Sequence, residues 1–291
     1  MRRGKYTKET KIDGKVVVIT GANCGIGKET AVDLAKRGGK IYIACRDIKR
    51  GEDALKEIKE ISGSNNVHFL QLDLASLDSV REFSRKFHEL ENQLHILINN
   101  AGIMACPQSK TTDGFELQLG TNHLGHFLLT NLLLDLIKSS SPSRIVVVSS
   151  EAYVMGNISR DDLMCENSYG EWKAYGQSKL ANILFSNELA SKLEGTGVTV
   201  NSLHPGVVRT ELGRHGSQTI KKFIIDPIFS HFMKTAWEGA QTSIYLALDP
   251  DLNEVTGKYF LNCKEDKPWA KARDKETAAW LLNKSMELVK L

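Results

Sequence analysis

The 291-residue chain lacks any hydrophobic run that approaches the ~20 apolar residues of a membrane span. The segment from Met1 to Tyr6 is polar and lacks the apolar region of a secretory signal. The five cysteines, an odd number, include no CxxC pair, which is typical of reduced thiols. These absences predict a protein of the cytoplasm or of a cytosol-facing membrane surface.

A strong charge imbalance and a low-complexity composition are also absent. Lysine and arginine total 38 against 35 aspartate and glutamate, so the net charge of +3 gives no reason to expect a nucleic-acid partner. With 23 glycines, 6 prolines and 41% hydrophobic residues, the chain is neither collagen-like nor disordered. No linker, repeat or compositional break divides it. We therefore predict one domain over residues 1–291, large enough to bury a substantial core.

Short β-branched runs alternate with longer amphipathic stretches along the chain. Strands are predicted at residues 15–20, 40–45, 67–72, 95–99, 144–149, 198–204 and 258–261. Helices are predicted between the first four strands, over 113–138 and over 175–193, and Ser76 is the predicted N-cap of the third helix. This alternation implies right-handed βαβ units. The predicted fold is α/β, a doubly wound Rossmann-like fold with a single seven-stranded parallel sheet and helices on both faces.

A glycine-rich turn, Gly21 to Gly27, joins the first predicted strand to its helix. Glycines let the backbone approach a phosphate closely, and a helix N-terminus presents free N–H groups with a partial positive charge. A helix start that merely needs glycine would show the same residues. The position in the first βα unit favours a dinucleotide site, although the spacing is GxxxGxG rather than GxGxxG.

The end of the second strand bears on the choice between the two nicotinamide cofactors. An NAD site usually has an acidic residue there for the ribose hydroxyls. Here the strand ends in Ala44-Cys45-Arg46, and a guanidinium suits the 2′-phosphate of NADP(H). Asp47 follows and would weaken this preference if it paired with Arg46. We predict NADP(H).

Tyr175 and Lys179 lie four residues apart, on one face of a predicted helix. An ammonium group near a phenol lowers the pKa of the phenol, which makes it a competent general acid/base for a carbonyl and its alcohol. Tyr169 and Lys173 have the same spacing but lie in a stretch without helical periodicity. Residues 149–150, both serine, end the fifth strand, and a hydroxyl there can orient a substrate carbonyl. This favours Tyr175 over Tyr169 as the acid/base. Turn chemistry alone also explains serines at that place.

These motifs resemble those of the short-chain dehydrogenase/reductase family over nearly the whole chain. The matching pieces are the glycine loop 21–27, Asp73 within LDL, NNAG at 99–102, Ser150, YxxSK at 175–179 and Pro205-Gly206. The resemblance implies a Rossmann-like sheet and NAD(P)-dependent hydride transfer. It also implies a catalytic tetrad, which corresponds to Asn122, Ser150, Tyr175 and Lys179.

The same resemblance completes the set of expected cofactor contacts. Asp73 is expected at the adenine, Asn100 along the adenosine ribose and Lys179 at the nicotinamide ribose. The predicted cofactor-binding residues are Gly21, Asn23, Cys24, Gly25, Ile26, Gly27, Arg46, Asp73, Leu74, Asn100, Ala101, Gly102, Tyr175, Lys179, Pro205, Gly206, Val208 and Thr210. No metal site is predicted. His123 and His126 lack a completing cysteine or carboxylate, so we interpret them as structural or hydrogen-bonding residues.

A closer resemblance is to the retinol dehydrogenase branch of that family, to the enzymes numbered 11 to 14 and to number 13 in particular. The motifs that carry it are NHLGHFLL at 122–129, SKLAN at 178–182, HPGVVR at 204–209 and ELGRH at 211–215. The branch resemblance implies an NADPH preference and a lipophilic substrate such as retinaldehyde. Cys24, Thr121 and Glu151 depart from the pattern, which bears on substrate and rate rather than on reaction type.

The apolar run at 223–233 has three open interpretations: a lid over a lipophilic pocket, a surface for peripheral membrane contact, or a helix packed on the core. Trp172 is expected to line the same pocket.

Several alternatives stay beside the predicted enzyme. A non-catalytic NADPH-binding regulatory protein is disfavoured by the complete tetrad, and a methyltransferase by YxxxK and NNAG. Within the enzyme class, steroid-like, lipid-derived and xenobiotic carbonyls are the alternatives to retinaldehyde. The sequence leaves open whether two copies form a homodimer through the helices near 113–138 and 175–193.

Overall fold

The computed structural model describes residues 4–209 and 233–291. Its strands are β1 (Val16–Thr20), β2 (Lys40–Cys45), β3 (Val67–Gln71), β4 (Ile96–Asn99), β5 (Ser143–Val148), β6 (Val198–His204), β7 (Tyr259–Leu261) and β8 (Lys264–Asp266). Its α-helices are α1 (Gly25–Lys36), α2 (Ile48–Ser62), α3 (Leu77–Leu90), α4 (Leu117–Leu119), α5 (Gly125–Leu132), α6 (Leu134–Ser139), α7 (Glu171–Lys192), α8 (Ala236–Leu248) and α9 (Lys275–Val289). A π-helix (Gly120–Leu124) joins α4 to α5, and short 3₁₀ helices occur at Glu151–Met155, Pro250–Leu252 and Ala270–Arg273. Within the described ranges, no helix is long and apolar enough to cross a membrane.

The core lies on both faces of one sheet, whose strand order is β3-β2-β1-β4-β5-β6-β7-β8. Every residue of β1 is buried. Val17 and Ile19 pack into the cluster on the side of α1, α2 and α8. Val16 and Val18 pack into the opposite cluster, with side chains of α3, α5, α7 and α9. Since successive side chains of a strand point to opposite faces, a strand covered on both sides needs the continuous apolar run that predicts β1.

The predicted doubly wound Rossmann-like fold is confirmed, and the sheet has one strand more than the seven predicted. All seven predicted strands are present, and an eighth, β8, pairs antiparallel with β7. The connecting residues Asn262 and Cys263 both have positive φ, 54° and 57°, as a two-residue hairpin turn requires. The sequence of β8 is KED, exposed along its length, so it carries no apolar alternation from which a strand could be predicted.

The long helical region predicted from about residue 113 to residue 138 is present, but it starts later and is divided into several segments. The chain first turns back on itself, with a bridge between Lys110 and Glu116, and helical structure begins only at Leu117. It then passes through the π-helix and is interrupted at Leu133 between α5 and α6. Helix α7 begins at Glu171, one turn before its predicted start. The predicted N-cap of α3 is confirmed, because the Ser76 side chain accepts a hydrogen bond from Ser79 N.

The carboxyl ends of four parallel strands meet at one edge of the sheet. β1 pairs in parallel with β2 on one side and with β4 on the other, so the chain winds in opposite directions from this point. A crevice forms where the winding reverses, outside the carboxyl ends of the strands. The loops that follow β1, β4, β5 and β6 therefore share one crevice.

The packing of the core beneath the sheet can be tested by a substitution at Phe87. Its buried ring stacks on Phe83, with centroids 6.1 Å apart, and meets Tyr42 edge-on at 5.2 Å. Phe87→Ala should lower the free energy of unfolding by about 3–5 kcal/mol, because it leaves a cavity in the core. Leu90→Ala, three residues later at a side chain that is 56% exposed, should change it by less than about 0.5 kcal/mol. Urea unfolding of both variants measures the difference, and equal losses would contradict the described packing.

Candidate active site

A cavity of about 1000 Å³ occupies the crevice at the carboxyl edge of the sheet. Most of the predicted site residues lie on its wall. Those that line it are Gly21, Asn23, Cys24, Gly25, Ile26, Gly27, Arg46, Asp73, Leu74, Asn100, Ala101, Gly102, Ser150, Tyr175, Lys179, Pro205, Gly206 and Val208. Asn122 is fully buried behind the wall. Thr210 and residues 223–232 of the apolar run lie outside the described residues.

The glycine loop packs tightly against the loop that follows β4. A Cβ atom on Gly21 would lie 2.8 Å from Ala101 Cα, and one on Gly27 would lie 2.5 Å from Asn100 Nδ2. Asn100 Nδ2 donates to Thr20 O at 2.7 Å. Glycine is therefore required at both positions for the two loops to lie side by side.

The N-terminus of α1 points into this loop. Its N-cap, Cys24, makes no side-chain capping hydrogen bond with the helix, in contrast to Asp47 at α2 and Ser76 at α3. Backbone N–H groups at a helix start, with the helix dipole behind them, form a site for an anion such as a pyrophosphate.

Arg46 lies at the end of β2, exposed and on the cavity wall. Within the described ranges, its guanidinium forms no ion pair. The Asp47 carboxylate caps α2 by accepting from Arg50 N at 2.9 Å. The alternative in which Asp47 neutralises Arg46 is therefore not the arrangement found.

Tyr175 and Lys179 occupy successive turns of α7, and each is only 3% exposed. Lys179 Nζ lies 5.8 Å from the centroid of the Tyr175 ring and donates to Val148 O at 3.2 Å. The Ser150 side chain lies close enough to Tyr175 to lower the pKa of its phenol. The hydroxyl, the phenol and the amine therefore converge at one point of the cavity wall.

Burial governs the protonation of this pair. It raises the pKa of Tyr175 to about 12, against a smaller opposite effect of the Ser150 hydrogen bond. It lowers the pKa of Lys179 to about 8. In the protein by itself the pKa of this phenol is therefore raised, because removal from water outweighs the effect of Ser150, and a lowering of that pKa by Lys179 stays a prediction.

The two serines after β5 have different environments. Ser149 is buried, and its hydroxyl donates to Lys179 O at 2.7 Å, which fastens α7 to the sheet. Ser150 Oγ accepts from Ala152 N at 3.2 Å and lies on the cavity wall beside Tyr175. Both serines line the cavity, but the Ser149 proton is donated within the protein to Lys179 O, so Ser150 is the better placed of the two to donate to a substrate.

The second tyrosine–lysine pair has a different setting. Tyr169 OH donates to Cys106 O at 2.7 Å, and Gln118 Nε2 donates to Tyr169 OH at 3.0 Å. Lys173 Nζ donates to Ser168 Oγ rather than approaching this phenol. These contacts hold together the segments that flank the cavity.

Asn122 lies in the π-helix and holds the loop after β4. Its Oδ1 accepts from Ile103 N at 2.8 Å, and its Nδ2 donates to Ile103 O at 3.0 Å and to Ser178 Oγ at 2.9 Å. π-turns within helices are often found at functional sites. The neighbouring His123 and His126 both have protein partners, and the described residues contain no group of three potential metal ligands.

Sequence reasoning missed Lys234 and the setting of His204. Lys234 Nζ donates to Pro205 O at 2.9 Å and to Asn262 Oδ1 at 2.7 Å, and its backbone forms a bridge with Val208. His204 lines the cavity, with Nε2 3.9 Å from Glu151 Oε2. No local pattern marks Lys234, because its partners are about thirty residues away on both sides.

Comparison with known proteins agrees with this geometry. The family model for short chain dehydrogenase matches residues 15–221. Human retinol dehydrogenase 12 is 53% identical over 286 residues, which cover 98% of this chain and 90% of that protein. Human retinol dehydrogenase 13 is 51% identical over 292 residues, covering 99% and 88%. The two identities are nearly equal, so no single member of the branch stands out.

Solved structures give the same result. A protein from Mycobacterium paratuberculosis has 35% identity and a TM-score of 0.80 over 98% of both chains. The Pseudomonas aeruginosa RhlG/NADP active-site complex has 25% identity and a TM-score of 0.70, over 88% of this chain and 97% of that one. The chain therefore belongs to the short-chain dehydrogenase/reductase family of oxidoreductases, whose members bind a nicotinamide cofactor, and within it is similar to the retinol dehydrogenases numbered 11 to 14.

Proposed function

We propose that this protein is an NADP(H)-dependent oxidoreductase that interconverts a lipophilic carbonyl, such as a retinaldehyde-like aldehyde, and its alcohol. The observation that carries the proposal is the convergence of Tyr175, Ser150 and Lys179 on the wall of a cavity that the glycine loop also lines. A cavity that only bound a dinucleotide would need neither the phenol nor the hydroxyl.

The residues on the wall fit NADP(H). The N-terminus of α1 beside the glycine loop suits the pyrophosphate, Asp73 and Leu74 the adenine, and Lys179 the nicotinamide ribose. Arg46, which has no ion pair within the described ranges, suits the 2′-phosphate. The structural similarity to RhlG, solved as an NADP complex, supports this choice. When bound, the cofactor supplies the hydride for reduction or accepts it in the reverse direction.

The protein's own groups handle the oxygen and its proton. Ser150 Oγ accepts from Ala152 N, so its proton can be donated to the substrate oxygen. Tyr175, with a pKa near 12, is protonated at neutral pH and donates that proton to the developing alkoxide. Lys179, with a pKa near 8, is mostly an ammonium at pH 7 and offsets the charge that proton donation leaves on the phenol oxygen.

The rest of the wall suits an apolar substrate. Ile103, Met104 and Val154 line it, and the Trp172 ring lies edge-on to Tyr175 with centroids 6.1 Å apart. Apolar side chains beside a few convergent polar groups are typical of sites for lipophilic small molecules.

The substrate class is tested by NADPH oxidation across a series of carbonyls. Retinaldehyde and other long-chain or ring-bearing apolar aldehydes should have kcat/KM at least about tenfold above small polar ketones, because each buried methylene adds discrimination. Loss of absorbance from NADPH measures the rates. A preference for small polar ketones would contradict the lipophilic assignment.

Two substitutions test the chemical roles. Tyr175→Phe should abolish turnover, because it removes the proton donor, while the Kd for NADPH changes little. Ser150→Ala should lower kcat about 10²- to 10³-fold, as expected for loss of one donor to the developing oxyanion. The neighbouring Ser149→Ala is the control, with reduced thermal stability but retained kcat. Turnover by Tyr175→Phe would rule out the proposed acid/base.

A substitution at Arg46 tests the preference for NADPH over NADH. Arg46→Ala should raise the Kd for NADPH about 10- to 100-fold, since it removes charged hydrogen bonds to a phosphate, and should leave the Kd for NADH unchanged. Lys56→Ala, at an exposed residue of α2, removes the same charge and should affect neither. Fluorescence titration of the wild type and of both variants with each cofactor gives the constants. Equal weakening of both cofactors by Arg46→Ala would contradict the 2′-phosphate assignment.

A further inference from the structure

A buried hydrogen-bonded chain of Thr20, His126 and Asn122 links the two halves of the candidate site. Thr20 ends β1, and His126 lies in the first turn of α5, one turn after Asn122. Thr20 Oγ1 is 2.8 Å from His126 Nε2, and His126 Nδ1 is 3.0 Å from Asn122 O. All three side chains are buried. The proposed mechanism does not use His126.

The hydrogen bonds of Thr20 determine which nitrogen of His126 carries a proton. A hydroxyl group has one proton and two acceptor lone pairs. Thr20 Oγ1 accepts from Asn100 N and Ala101 N, each at 2.9 Å, so its proton must be donated elsewhere. His126 Nε2, at 2.8 Å, is a nearer acceptor than Ile98 O, at 3.4 Å. Nε2 is therefore unprotonated.

The hydrogen bond of the other ring nitrogen, Nδ1, leads independently to the same tautomer of His126. A carbonyl oxygen can only accept, so His126 Nδ1 must donate to Asn122 O. A doubly protonated ring would direct a second N–H at a Thr20 oxygen whose lone pairs are already used. Burial, with a smaller effect from Lys179, lowers the pKa of His126 to about 4, so the ring is neutral at pH 7.

We propose that His126, in its Nδ1–H tautomer, is a positioning residue that fixes the loop at 100–102 relative to Asn122. Its Nε2 accepts a hydrogen bond from the Thr20 hydroxyl. This orients the lone pairs of Thr20 Oγ1 toward the N–H groups of that loop. Its donor nitrogen holds the backbone of Asn122 in the π-helix.

Hydrogen bonds connect His126, through Asn122, to helix α7, which carries Tyr175 and Lys179. The Asn122 side chain holds both backbone polar groups of Ile103 and donates to Ser178 Oγ. Ser178 Oγ in turn donates to Tyr175 O at 2.8 Å. A shift of Asn122 is therefore transmitted to the turn of α7 that carries Tyr175.

The tautomer is tested directly on the full chain. In protein labelled with nitrogen-15 at histidine, the ring nitrogen spectrum at pH 7 should show His126 with Nδ1 protonated and Nε2 unprotonated. The opposite tautomer, or a doubly protonated ring, would overturn the inference. This measurement does not depend on any variant folding or on the identity of the substrate.

Three substitutions separate the two contacts of His126. His126→Gln places a side-chain oxygen near the position of Nε2 and keeps an acceptor for Thr20. His126→Asn places an amide nitrogen near the position of Nδ1 and keeps a donor for Asn122 O. His126→Phe keeps the ring and removes both.

The inference rests on the proposed NADP(H) site, so the readouts are the Kd for NADPH and kcat. His126→Gln keeps the contact with Thr20 and loses the one with Asn122 O, so it should keep the Kd for NADPH and lower kcat about tenfold. His126→Asn loses the contact with Thr20 and keeps the one with Asn122 O, so it should raise the Kd for NADPH about tenfold with a smaller loss of kcat. His126→Phe should show both losses. Identical behaviour of the three folded variants would overturn the positioning role.

His123→Gln is the matched control. His123 is equally buried three residues earlier, and its Nε2 lies 2.9 Å from Ser285 Oγ of α9. This variant should lower the thermal unfolding midpoint while Kd and kcat are kept. The same kinetic losses in His123→Gln would attribute the effect to general loosening and overturn the inference. A wild-type chain that binds no NADPH would contradict the proposed function, while the tautomer measurement would still decide the protonation of His126.

Discussion

The parallel pairing of β1 with β4 is the constraint on which the candidate site depends. It places the turn after β1 against the loop after β4 so closely that a Cβ on Gly21 would lie 2.8 Å from Ala101 Cα. The single oxygen of Thr20 then accepts two backbone N–H groups of that loop. Since β5 and β6 continue the sheet in the same direction, Ser150 and Pro205 reach the same crevice.

Burial controls the chemistry of the ionisable groups in this crevice. Tyr175 and Lys179 are almost completely removed from water, which favours the neutral form of each group. Burial therefore raises the pKa of Tyr175 and lowers the pKa of Lys179. His126 and His123 are kept neutral for the same reason, with pKa values lowered to about 4 and about 3. Buried polar groups need partners, so the side chains around the reacting phenol form connected chains of hydrogen bonds rather than isolated contacts.

Elements with a strong local signal could be predicted from the sequence. The run KVVVIT predicts β1 because a strand covered on both faces is apolar throughout, and Ser76 predicts a helix start because its side chain satisfies a free N–H group. β8 has no such signal, since its KED sequence is exposed and is held by pairing with β7. The division of the helical region near 113–138 into a π-helix, α5 and α6 likewise has no counterpart in the apolar pattern.

The sequence by itself determined the order of the elements, the glycine loop, the guanidinium at the end of β2 and the four-residue spacing of Tyr175 and Lys179, because each is a local pattern. Only the tertiary structure decided that Ser149 donates to the backbone of α7 while Ser150 does not, that Asp47 caps α2 rather than neutralising Arg46, and that burial raises the pKa of Tyr175. Those outcomes depend on contacts between residues far apart in the chain and on exclusion of water, and neither is written in a local pattern.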